Sequence, residues 1–102
     1  MKYQLVLQLP ASSIKDYDAL IELEDAIIGS LGNLGKADGH DAGSGEMNIF
    51  IHTDHPQPAF QRIKQLLGTR DFLPELKVAY REMGTDEFII LHPEELGRFS
   101  IA

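Results

Sequence analysis

The chain contains no cysteine and no tryptophan, and its apolar runs extend over only a few residues. Without cysteine there is no disulfide, no thiol nucleophile and no cysteine-based zinc site, which fits a reducing compartment. A helix that crosses a bilayer needs roughly 20 consecutive apolar residues. Met1-Lys2 leads straight into alternating residues, with none of the basic, apolar and small-residue zones of a secretory signal. These absences predict a cytoplasmic protein with no membrane association. Basic residues are also scarce: 9 Lys and Arg stand against 16 Asp and Glu, for a net charge of −7. Residues 1–55 hold 3 of those cations and 9 of the acids, whereas residues 56–102 hold 6 and 7. Binding a phosphate backbone requires clustered Lys and Arg that release counterions, so nucleic acid is excluded as a partner class and a basic protein or a cation is favoured. The G-x-x-x-x-G-K-[ST] string is missing too, which removes nucleotide hydrolysis by a phosphate-binding loop.

What is present is ordinary globular material, 43% apolar and 25% charged over 102 residues. A chain of this length forms one core and buries roughly two-thirds of its extended surface. The expectation is a single domain over residues 1–102. Tyr3, Leu5, Leu7 and Leu9 alternate with Gln4, Val6 and Gln8 and are stopped by Pro10, the period of a half-buried strand. Ser13 and Asp16 resemble a capping box, and Tyr17, Leu20, Ile21, Leu23, Ile27, Ile28 and Leu31 form an apolar stripe at helical spacing. Asp18, Glu22 and Asp25 lie on the solvated side of that helix, which should end between Ser30 and Gly32. Residues 34–41 are polar on both faces and contain Gly35 and Gly39, as suits a short edge strand with a bulge. A turn over Ala42 to Gly45 leads to Met47, Ile49 and Ile51 alternating with Asn48, Phe50 and His52, the clearest strand of the chain. Asp54 is placed to cap a second helix opened by Pro56, with Phe60, Ile63, Leu66 and Leu67 buried and Gly68 at its end. Leu76, Val78 and Tyr80, a turn over Gly84 to Asp86, and the apolar run Phe88 to His92 predict a C-terminal hairpin.

The resulting order is β-α-β-β-α-β with an appended strand. It predicts an α+β, ferredoxin-like split βαβ fold with two helices on one face of an antiparallel sheet. The first and third strands would be central and the second an edge. The other face would be open and would present Gln4, Val6, Gln8, Asn48, Phe50, His52, Lys77 and Arg81. Leu96, Phe99 and Ile101 make the C-terminal tail apolar enough to fold over it.

Chemically capable residues crowd between Gly35 and Pro56. His52, Asp54 and His55 form an H-x-D-H string at a strand end, and Asp38, His40, Asp41, Glu46 and His92 are placed to approach from neighbouring segments. Imidazole with carboxylate suits zinc, manganese or iron. The string is similar to part of the metallo-β-lactamase H-x-H-x-D-H motif. Phe50 occupies its first histidine position and the chain is too short for that fold, so the family is rejected. Ser12, Ser13 and Ser44 have no base in a triad-like context, and no catalytic residue is assigned. The segment GHDAGSGEMNIFIHTDHP, with the opening KYQLVLQLPASS, resembles a group of bacterial proteins of similar length. That resemblance spans most of the chain and implies no assigned activity.

These observations predict a small acidic binding module without enzymatic activity or cofactor, engaging a protein partner or forming a homodimer. Its contact residues would be Gln4, Gln8, Asn48, Phe50, Lys77 and Arg81 on the open face, with Asp38, His40, Asp41 and Glu46 along the edge. The alternative is a divalent-metal site built from His40, His52, Asp54 and His55.

Overall fold

The computed structural model describes residues 2–14, 16–43, 45–69, 75–93, 95–99 and 101. Five strands, β1 (Tyr3–Pro10), β2 (Lys36–Gly43), β3 (Glu46–Thr53), β4 (Lys77–Glu82) and β5 (Ile89–His92), and two helices, α1 (Tyr17–Leu31) and α2 (Pro56–Gly68), make an α+β architecture. The sheet order is β2-β3-β1-β4-β5 and every neighbouring pair is antiparallel. As expected, β1 and β3 lie inside the sheet and β2 at an edge. The C-terminal hairpin forms, and its second strand makes the other edge. In the turn between β2 and β3, Ser44 lies outside the described residues.

Alternation decides which side each strand buries. Leu5 pairs with Ile51, and Leu7 with both Ile49 and Val78, so these side chains share one face. They join Leu20, Leu23, Ile27 and Leu31 of α1 and Ala59, Phe60, Ile63 and Leu67 of α2 in one buried cluster. Each fully buried Leu or Ile contributes about 1.5–3 kcal/mol, which makes this cluster the main source of stability. The helices therefore dock on the same face, as their apolar stripes require.

Two helix starts differ from expectation. α1 begins at Tyr17, not at Ser13; Ala11–Ser13 form a separate 3-10 turn. Asp16 has the extended backbone of an N-cap and its carboxylate accepts the Ala19 N–H at 2.8 Å, so the strongest capping side chain nearby sets the boundary. Asp54 does not cap α2. His55 holds the N-cap position without a side-chain bond, while Asp54 Oδ1 accepts the Lys2 N–H at 2.8 Å. Pro56 and Pro58 have no N–H, so fewer donors at this helix start need a cap. Thr53 ties the corner instead: its Oγ1 accepts from the His55 N–H at 2.9 Å and donates to the Leu34 carbonyl at 2.5 Å.

Beside that corner Gly35 lets β2 approach β3, since a Cβ there would lie 2.9 Å from Ile51 Cγ2 and 3.1 Å from the His52 carbonyl oxygen. Further along β2 the register shifts between Ala37 and His40. Gly39, with φ of 97°, carries this bulge, a backbone state that side chains disfavour. In a regular strand Asp38 and His40 would share a face. The extra residue separates them: His40 pairs with Ile49 on the helix side, whereas Asp38 joins His52 on the other.

That second face is not open along its whole width. Val6 and Ala79 are fully buried, and Gln8 and Asn48 are 2% exposed, yet none belongs to the helix-packed cluster. Register puts Phe50, Val6, Ala79 and Ile90 in one apolar row across four strands. Beyond β5, Phe99 of the tail packs on Phe88 with ring centroids 5.1 Å apart, and Leu96, Phe99 and Ile101 are half-buried.

Candidate functional site

On the second face a polar row crosses β2, β3, β1 and β4. Asp38 Oδ2 lies 2.7 Å from His52 Nε2 and accepts from Gln4 Nε2 at 3.0 Å. Gln4 Oε1 in turn accepts from Arg81 Nε at 2.9 Å, and Arg81 Nη1 donates to the Thr85 carbonyl at 2.8 Å. Four residues further along β1, Gln8 Nε2 donates to Asn48 Oδ1 at 3.0 Å in a buried amide pair. Of the residues expected to form the contact face, Gln4 and Arg81 are thus held in this network, and Gln8 and Asn48 lie beyond the reach of a solvent-borne partner. Lys77 is half-buried.

Phe50 remains half-buried at the β2 side of this face. Asp38, Asp41 and Glu46 lie on the same face: Asp41 pairs with Asn48, and Glu46 shares the Asn48 and Phe50 side of β3. Asp38 and Asp41 are exposed and Glu46 half-buried. Every residue of β2 is exposed except His40, and its outer edge has no strand neighbour among the described residues.

On the helix side His40 links β2 to α1. Its Nδ1 lies 3.2 Å from Glu24 Oε2, and its Nε2 lies 3.3 Å from the hydroxyl of Tyr17, whose ring meets it edge-on. This arrangement fixes the imidazole between a carboxylate and a phenol. The expected edge contact through His40 is therefore directed into the α1 junction, a consequence of the bulge at Gly39.

The four histidine and aspartate residues considered for metal do not converge. His40 and His52 lie on opposite faces, Asp54 accepts the Lys2 amide, and His55 is exposed at the start of α2. Among the described residues no three His, Cys, Asp or Glu side chains gather as a metal-holding group. No helix among them is long and apolar enough to cross a membrane.

A third location was not legible in the sequence. Tyr3 and Tyr80, on the helix-bearing face, meet edge to face with centroids 5.6 Å apart. They wall a cleft of 360 Å³ completed by Glu82, Thr85, Glu87 and Ile89, and a neighbouring hollow of 280 Å³ that runs to Asp54, His55 and the first turn of α2. Tyr80 shares the Val78 side of β4, the side that packs against the helices. Both rings are half-buried and Ile89 is exposed, so this end of the face is only partly covered. The only sequence signal was the pair of tyrosines at helix-side positions of the first and fourth strands. Against known proteins, no family model, no curated protein and no solved structure matches this chain.

Proposed function

We propose that the chain is a non-enzymatic, ferredoxin-like binding module that engages a basic protein partner. The β2-β3-β1-β4 order of its first four strands supports the split βαβ reading, with β5 as an addition at the end. The observation that carries the functional reading is the setting of Phe50: a half-buried aromatic ring on a face that also carries Asp38, Asp41 and Glu46, next to an edge strand with no strand neighbour among the described residues. An aromatic anchor within a charged rim is the usual composition of a recognition surface. The acidic rim favours a cationic partner and speeds its approach, while Lys36 at the far end of β2 limits that field. The free edge of β2 adds backbone donors and acceptors that an extended segment can pair with. This surface is narrower than the whole sheet face, because Gln8, Asn48, Val6 and Ala79 are already covered.

The test compares wild type with Phe50→Asp and with Asp41→Lys/Glu46→Lys. Each is used as bait, and light scattering follows self-association. The reading expects folded variants that lose the basic proteins retained by wild type. Identical retention by all three baits rejects it. Self-association of wild type that Phe50→Asp abolishes moves the reading to a homodimer.

A further inference from the structure

We infer that the cleft between Tyr3 and Tyr80 is a binding site for a guanidinium group. It lies on the helix-bearing side of the sheet, away from Phe50, and does not depend on the reading above. Register places Tyr3 opposite Glu82 and Tyr80 opposite Ile89, so two aromatic rings, a carboxylate and an aliphatic side chain face one hollow. Glu87 completes its rim. Neither Glu82 nor Glu87 uses its carboxylate in a hydrogen bond or ion pair among the described residues. Among the described residues no Lys or Arg lines the cleft. The guanidinium of Arg81, next to Glu82 in β4, is held by Gln4 and the Thr85 carbonyl.

Two carboxylates beside two tyrosine rings attract a cation by charge and by the ring quadrupole together. A guanidinium suits them better than an ammonium, because its planar fork can bond carboxylates while its face lies on a ring. Ile89, 52% exposed, offers an apolar wall for the attached alkyl chain. A volume of 360 Å³ accommodates such a group with its stem. A small guanidine compound and an arginine side chain of a polypeptide both carry this group, and the two sources share this chemistry.

The test is an NMR titration of the tyrosine rings with ethylguanidinium, N-acetyl-arginine amide, N-acetyl-lysine amide and a short arginine-containing peptide. The expected result is saturable movement of the Tyr3 and Tyr80 ring signals with the guanidinium compounds, while the Tyr17 ring stays still. Glu82→Gln/Glu87→Gln, at two exposed positions, should weaken binding by about tenfold or more, as loss of charge-assisted hydrogen bonds requires. Tyr80→Phe, which keeps the ring, should bind nearly as wild type. A peptide that binds far more tightly than ethylguanidinium identifies an arginine side chain as the source, and equal affinity identifies a free guanidine. No saturable movement, unchanged affinity in the double glutamine variant, or equal binding of the lysine compound overturns the inference.

Discussion

Asp38 and His40 are separated by one residue in the chain but lie on opposite faces of the sheet, Asp38 bonded to His52 and His40 bonded to Glu24. The residue between them, Gly39, has a φ of 97° and nothing within 4 Å of where its Cβ would be. Its role is therefore conformational. Replacing Gly39 with Val should cost about 1–3 kcal/mol, the range for a side chain held in a disfavoured backbone region. Urea denaturation measures this loss. An unchanged midpoint would show that the bulge moves to another residue without penalty.

The two aspartates near the helix starts should respond differently. Asp16→Ala removes the N-cap of α1 and should cost about 1 kcal/mol, with faster amide exchange at Ala19, whose N–H it accepts. Asp54→Ala should leave α2 intact and instead expose the Lys2 amide that it holds. Amide exchange distinguishes the two. Fraying of α2 in the Asp54 variant would restore the capping role that the sequence suggested.

Burial of Val6 and Ala79 outside the helix-packed core requires cover on the second face, and the tail, which reaches Phe88 through Phe99, is a described segment that can supply it. A chain ending at Pro93 should lose about 2–3 kcal/mol, the scale for re-exposing a buried Val-sized side chain and its neighbours. It should also bind a hydrophobic dye more strongly. Phe99→Ala is the milder version and should move in the same direction. Equal stability of the full and shortened chains would place the cover elsewhere.

Zinc, manganese or nickel added singly should leave the melting temperature unchanged, because His40 and His52 face opposite sides of the sheet and Asp54 is bonded to Lys2. A ligand held only by the native state must stabilise it. A stoichiometric metal with a reversible rise in melting temperature would reverse this expectation and return attention to His52, Asp54 and His55.

The local signals of the sequence carried far. Alternation in Tyr3 to Leu9 and Met47 to His52 located the central strands, the stripe from Leu20 to Leu31 located a helix, and the polar, glycine-containing residues 34–41 marked an edge. Side-chain direction repeats every two residues in a strand and about every 3.6 in a helix, so these features are written in short stretches of chain. The glycines of β2 announced a bulge, but neither its position nor its effect on the faces of Asp38 and His40 followed from composition. A single added residue reverses which side each later side chain takes, and its position is set by pairing with β3.

Tertiary structure alone decided the rest. Asp54 was a reasonable cap until β1 brought the Lys2 amide within its reach. Gln8 and Asn48 read as surface amides because their alternation assigned them to the face away from the helices, yet they bond each other out of solvent's reach. The meeting of Tyr3 with Tyr80 depends on residues far apart in the chain and on the pairing of β1 with β4. Periodicity states which residues share a side; only the lengths and placement of packed elements determine which side is covered, and how far.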